Sequence, residues 1–194
     1  MKQDMWIQLV KWVLWGLTMA VMIGWVAKSR LRKRPESERN LLRHPVSTLV
    51  IGIVGVAFFF GIVIGSNTVW KNQTSTIWTT VMFIAFGLLP APLIADYLFA
   101  RHRVSDTGIE YGRMLGQRGS LNWLDVRKLR YAPVLKWFEL DGPSGEKVRV
   151  SAMLLGLPEF AHFVLLHVPG QAIDEKTLAI LRETEQGRPP SVWK

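Results

Sequence analysis

Cysteine is absent from all 194 residues. That absence removes a disulfide framework, a thiolate nucleophile and any cysteine-ligated zinc or iron–sulfur centre. Acidic residues are scarce, 15 against 24 basic ones, and the formal charge is +9. Before residue 101 the only carboxylates are Asp4, Glu36, Glu38 and Asp96. Phosphate-binding glycine loops, a dinucleotide fingerprint and a nucleophile elbow are also missing, which leaves no nucleotide or acyl-transfer chemistry to build on. What the chain has instead is oil: 49% of its residues are hydrophobic despite the basic balance. Two such properties coexist only when they are segregated along the sequence.

The segregation is visible as three apolar runs, Met5 to Ala27, Val46 to Gly65 and Ile77 to Ala100. Each is about 20 residues or longer, enough at ~1.5 Å per residue to cross a hydrocarbon core of roughly 30 Å. Three runs of this kind within one hundred residues leave no polar face for water, so they are expected to be transmembrane helices over about 5–27, 46–65 and 77–100. The connection at 28–45 carries Lys28, Arg30, Arg32, Lys33, Arg34, Arg39 and Arg43, whereas the second connection, Ser66 to Thr76, has only Lys71. The positive-inside rule places the first connection in the cytoplasm, where its cations meet anionic lipid headgroups. Arg101 and Arg103 then form a second basic edge on the same side, and the N-terminus lies outside. Six of the nine tryptophans fall in this half, with Trp6, Trp25, Trp70 and Trp78 at run ends, where an amphipathic ring suits the headgroup layer. The basic residues follow the first run instead of preceding it, so that run is expected to be an anchor and not a cleaved signal peptide.

Small residues recur every four positions as Gly16, Ala20 and Gly24 in the first run and as Ala57, Gly61 and Gly65 in the second. Such spacing lets helix backbones approach closely, either between these two helices or across a homo-oligomer seam. Pro90 and Pro92 predict a kink in the third run. Lys11 and Asp96 are ionisable groups within spans. Both lie near a span end, so Lys11 is expected to snorkel and Asp96 to reach headgroup water or pair with Arg101.

Beyond Arg101 the texture becomes short alternating segments: Arg101 to Ser105, Ile109 to Met114, Ser120 to Trp123, Val126 to Tyr131, Val134 to Leu140 and Lys147 to Ala152. Between them lie turn residues such as Asp106-Thr107-Gly108 and Asp141-Gly142. A helix is expected from Pro158, with Phe160, Phe163, Val164 and His167 at helical spacing, and a last helix capped by Asp174 and ended by Gly187. The carriers of a family likeness are Arg103-Val104 before Thr107-Gly108-Ile109, the Trp123-Leu124-Asp125-Val126 segment, the hairpin at Asp141-Gly142, and Leu155-Gly156-Leu157-Pro158-Glu159-Phe160 opening the helix. On these residues the stretch from Arg101 to Val168 resembles the bacterial pleckstrin-homology-like (PH-like) domain membrane proteins. The resemblance implies an all-β or α+β barrel over 101–170, capped by a C-terminal helix, with 171–194 as a further helix and tail. It implies binding of a protein partner or a lipid surface without catalysis. Phosphoinositide recognition is not carried over, because Arg103 to Arg118 lacks the lysine and arginine cluster it needs.

No catalytic constellation survives inspection. Asp106-Thr107-Gly108 imitates the aspartic-protease triplet but has Ile109 next and the flanks of a plain turn. His162 and His167 are five apart, which does not place two imidazoles on one helix face, so no metal and no cofactor are expected. Arg127, Lys128 and Arg130 form the one dense basic run of the domain and a possible partner surface. They lack a stacking platform, so nucleic acid is not an expected partner. The sequence therefore points to a non-enzymatic bacterial inner-membrane protein that presents a PH-like module to a protein or to anionic lipid. The alternatives are an oligomeric channel or transporter accessory subunit using Asp96 and the Pro90 kink, or a membrane-bound immunity or exclusion factor.

Overall fold

A computed structural model describes residues 2–29, 35, 38–68 and 76–191. Arg30, Arg32, Lys33 and Arg34 of the basic connection lie outside the described residues. The described chain is a mixed helix and sheet fold. Helix α1 (Lys2–Ser29) is followed by a two-residue strand β1 (Leu41–Leu42), helix α2 (Val46–Thr68), and helices α3 (Ile77–Leu88) and α4 (Ala91–Phe99). Strands β2 (His102–Val104), β3 (Gly108–Gly112), β4 (Arg118–Asn122), β5 (Lys128–Ala132), β6 (Trp137–Asp141) and β7 (Lys147–Ser151) come next, and α5 (Leu157–His167) and α6 (Glu175–Glu185) close the chain.

Two of the helical stretches, Val46–Thr68 and Ile77–Phe99, are long and apolar enough to cross a bilayer. The second of these is broken where the sequence predicts it. Pro90 ends α3 and serves as the N-terminal boundary of α4, because proline cannot donate a hydrogen bond to the preceding turn. The break is packed against α2: a Cβ on Gly52 would press on Ile94 and on Gly55 would press on Pro90. Gly87 approaches the Phe60 ring in the same manner, and Phe59 meets Phe86 at 5.8 Å between ring centroids. At the loop end, Thr76 and Thr79 cap α3 reciprocally: the Thr79 N–H donates to Thr76 Oγ1 and the Thr76 N–H donates to Thr79 Oγ1.

Within this chain the small-residue stripes are not the points of closest helix approach. Gly16, Gly24 and Gly61 have nothing within van der Waals reach of an added Cβ. Ala20 and Ala57 are exposed and Gly65 alone is buried. Within this chain, close helix approach runs through Gly52, Gly55 and Gly87, which serve the α2 contact with α3 and α4. Helix α1 is tied to α2 at its end by a Ser29–Ser47 hydroxyl pair of 2.7 Å, and its Lys11 is exposed.

The strands form two antiparallel sheets, ordered β1-β2-β3-β4 and β5-β6-β7. Strand β1 comes from the connection between α1 and α2, with Leu41 opposite Arg103 and Leu42 opposite His102. The module thus starts before Arg101: α2, α3 and α4 are inserted between two adjacent strands. Leu42 is fully buried in a single core with Val104, Ile109, Leu129, Phe138, Leu140 and Val150. Helix α5 closes that core through Phe160, whose ring lies 6.3 Å from Trp123 and 5.5 Å from Phe138. Helix α6 belongs to the same core, for Leu181, Thr177 and Thr184 are all buried. Asp174 caps it by accepting from the Thr177 N–H at 3.0 Å. The Thr177 hydroxyl accepts the Tyr131 N–H at 2.7 Å, and Asp174 N–H donates to the Leu129 carbonyl. Together these two bonds cover the free edge of β5.

Strand direction gives the module two distinct ends. Strand β2 leaves α4, so its start marks the helix-proximal end. Antiparallel β1 and β3 both run back toward that end, reaching Arg43 and Gly112. The β2–β3 turn at 105–107 and the residues before β1, Arg39 and Asn40, lie at the helix-distal end; the Val104 N–H donates to the Asn40 carbonyl there.

Candidate docking surfaces and the junction

At the helix-distal end is an open cleft of about 510 Å³. Its apolar floor comes from one face of α5, where Pro158, Phe163 and Leu166 follow each other along the helix. Leu166 is 63% exposed, which leaves it available to a docking group. The rim is polar and of mixed charge: Asp106 from the β2–β3 turn, Glu159 from the first turn of α5 and Glu185 from the end of α6, together with Arg39, Asn40 and His162; Asp106 Oδ1 lies 3.8 Å from His167 Nε2. Glu185 Oε1 lies 2.8 Å from His162 Nδ1. The cleft was not legible in the sequence, because its walls come from the connection before β1, from a β turn and from two helices.

The outer face of the second sheet is the other ordered surface. The register sets Arg130, Glu139 and Arg149 side by side, and likewise Lys128, Asp141 and Lys147. Glu139 receives both Nε and Nη2 of Arg130, at 2.9 and 2.6 Å, and faces Arg149 Nε at 3.4 Å. Arg149 also lies 4.8 Å above the Trp137 ring. Of the basic run expected to meet a partner, Arg127 and Lys128 are exposed, but Arg130 is already committed to Glu139. Lys128 and Arg130 thus belong to two separate cross-strand rows, each setting one carboxylate between two cations.

The Arg130 hydrogen bonds hold the Glu139 carboxyl below its ordinary range. A depressed carboxylate stabilises the fold above the unfolded value of 4.5 and loses that contribution as pH falls through the lower folded value. Acid unfolding monitored by tryptophan fluorescence should accordingly show a step below pH 4.5 that is missing in Glu139→Gln. An unchanged acid limb in that variant would refute the assignment.

At the helix-proximal junction, Asp96 of α4 is half-buried and interacts electrostatically with His44, not with Arg101, which is exposed. The sequence suggests a pairing with Arg101, whereas the charged group that Asp96 influences belongs to the β1–α2 connection. His44 and His102 are both buried, and the Nδ1 atom of each lacks a hydrogen-bond partner. Burial pushes both imidazoles down, His102 to about 4 with a further contribution from His44. Of the remaining topology residues, Lys28 and Arg103 are exposed, while Arg43 pairs with Glu38 at 2.7 Å and its carbonyl accepts the Leu155 N–H. Asp106-Thr107-Gly108 is a plain turn, the Ser105 N–H donating to the Gly108 carbonyl at 2.9 Å. Among the described residues no group of three or more His, Asp or Glu side chains is placed to hold a metal ion.

Comparison with protein-family models, with curated proteins and with solved structures finds no match to this chain.

Proposed function

We propose that this chain is a non-enzymatic inner-membrane protein whose cytoplasmic PH-like module docks a protein partner in the helix-distal cleft. The observation that carries the reading is the insertion of α2, α3 and α4 between strands β1 and β2. A sheet threaded in this way is attached to the helices through two neighbouring strands, so its orientation is fixed relative to a bilayer crossed by those helices. The cleft, at the opposite end, then faces the cytoplasm. Two antiparallel sheets of four and three strands followed by α5 support the PH-like reading. The basic connection supports cytoplasmic placement by the positive-inside rule, and the length of α1 (Lys2–Ser29) supports a third span with the N-terminus outside.

The cleft chemistry names the kind of partner. An apolar floor of Pro158, Phe163 and Leu166 inside a rim of both carboxylates and basic groups fits a protein segment that combines an apolar anchor with polar and charged neighbours. The channel or transporter reading has less behind it. Asp96 sits in the last turn of α4 with the module's own His44 as its electrostatic neighbour, and Pro90 packs closely onto Gly52 and Gly55.

The test uses two exposed positions whose replacement leaves the core intact. The full chain carrying Leu166→Arg and Asp106→Arg is purified in mild detergent beside the unaltered chain. Loss of a buried anchor plus reversed charge should weaken retention of the specific partner by about tenfold or more, the equivalent of ~1.4 kcal/mol. A partner set retained equally by the double variant would overturn the reading.

A further inference from the structure

The β3–β4 hairpin ends in the tight turn Arg113-Met114-Leu115-Gly116-Gln117. It is closed by the Arg113 N–H donating to the Gln117 carbonyl and the Gly116 N–H donating to the Arg113 carbonyl, both at 2.8 Å. Gly116 has a φ of +79, which a glycine adopts at no steric cost. The turn pushes its apolar residues outward: Leu115 is 81% exposed and Met114 39% exposed. Arg113 and Arg118 flank them, and the Arg113 guanidinium lies 5.6 Å from the Tyr111 ring centroid. An apolar tip flanked by cations is the chemistry that suits the interface of an anionic membrane.

Its location points the same way. Strand β3 runs toward the helix-proximal end, and the Gly112 N–H donates to the Arg101 carbonyl at 3.0 Å. A Cβ on Gly112 would collide with the Phe99 carbonyl oxygen, at the very end of α4. Leu115 is only three residues further along, a reach of at most about 10 Å even at the ~3.3 Å per residue of extended chain. The headgroup layer on each side of the ~30 Å hydrocarbon core is of similar scale, about 5–8 Å. We infer that the β3–β4 hairpin is a membrane-dipping tip, with Met114 and Leu115 inserted in the lipid interface and Arg113 and Arg118 among anionic headgroups. This rests on the reading that α2 and α3–α4 span the bilayer. The tip adds a third point of attachment to the two chain connections, and three points fix the tilt of the module as well as its height. A fixed tilt keeps the distal cleft clear of the headgroups.

The absence of cysteine makes the test direct. Leu115→Cys and Leu124→Cys each accept one environment-sensitive fluorophore on the full chain. The two leucines are equally prominent, at 81% and 79% exposure, and lie at opposite ends of the same sheet. Leu124 follows Trp123, whose N–H donates to the Thr107 carbonyl of the helix-distal turn. The chains are reconstituted in vesicles of phosphatidylethanolamine and phosphatidylglycerol carrying a nitroxide on the acyl chain. The Leu115 label should be quenched by the acyl-chain nitroxide several-fold more than the Leu124 label, and several-fold less by aqueous iodide. Equal quenching of the two labels overturns the inference. Shielding of the Leu115 label from iodide without acyl-chain quenching also overturns it, since a protein would then cover the tip. Carbonate extraction of the same vesicles separates the two levels: a chain that is washed off defeats the spanning reading and the tip with it, whereas a retained chain with an unquenched Leu115 label defeats the tip alone.

Discussion

A fragment containing residues 101–191 alone should fail to fold cooperatively, while the same fragment joined to residues 38–44 by a short glycine-rich loop should fold. Strand β1 is only two residues long, yet its removal strikes three places at once. Leu42, fully buried, leaves a hole against Val104 and the rest of the core; truncating such a leucine even to alanine costs about 2–5 kcal/mol. The Val104 N–H loses the Asn40 carbonyl, and the Leu155 N–H loses the Arg43 carbonyl. A buried donor left without an acceptor costs roughly 1–3 kcal/mol. Against a domain stability of about 5–15 kcal/mol, the combined loss consumes most or all of the margin. The measurement is a thermal melt followed by near-ultraviolet circular dichroism, which reports the packing of Trp123. A sharp transition is expected for the joined fragment and a broad or missing one for the shorter fragment. Equal midpoints would show that β1 is an ornament and that the module begins at Arg101 after all. In the joined fragment, Leu42→Ala should lower the midpoint, whereas Leu115→Ala, at an exposed tip, should leave it within the usual ±0.5 kcal/mol of a surface change.

The same strand shows where sequence reading reaches its limit. Long apolar runs carry their own physical signature, and α2 and the broken α3–α4 pair lie where hydropathy and Pro90 put them. The helix from Pro158 and the cap at Asp174 were equally legible, because capping chemistry is local. The strands kept their order but shifted at their ends. Val134 and Leu135 look like strand residues by composition, yet Pro133 and the positive φ of Lys136 turn the chain there, and β6 starts at Trp137. Trp123 left β4 for a short 3₁₀ turn because its ring fills the core and its Nε1–H donates to the Ser105 carbonyl at 2.8 Å. Leu41 and Leu42, in contrast, stand in a basic connection with no alternation around them; only pairing with β2 makes them a strand. The cleft escaped for the same reason, being assembled from Asn40, Asp106, Leu166 and Glu185, none of which is unusual in its own segment. Asp96 stands out in its own segment as a charge in an apolar run, but its electrostatic neighbour His44 sits 52 positions earlier, across the inserted helices, and no spacing rule links them.

His44 and His102 carry the second large effect: acidification from pH 6.5 to about 4 should destabilise the module well before its carboxylates titrate. Unfolded, His102 takes up a proton near 6.5; folded, burial first and the neighbouring His44 second hold its pKa at about 4. Between these values the unfolded chain binds a proton that the folded chain refuses, so stability is fully present above 6.5 and declines as pH falls. The slope is about 1.4 kcal/mol per pH unit for one such group, and the full window is worth roughly 3 kcal/mol. His44, whose pKa is likewise lowered by burial, acts in the same direction. Because Glu139 releases its own contribution only below 4.5, the two effects fall in different parts of the acid limb. Thermal unfolding of the full chain in detergent, recorded at intervals from pH 7 downward, should show the midpoint falling through this window, and His102→Phe should flatten that fall while leaving the midpoint near pH 7 little changed. A midpoint that holds steady down to pH 4.5 in the unaltered chain would mean that His102 finds a proton acceptor or water in the folded state. In that case its unpartnered Nδ1 would not be the source of any acid lability at the junction between helices and sheet.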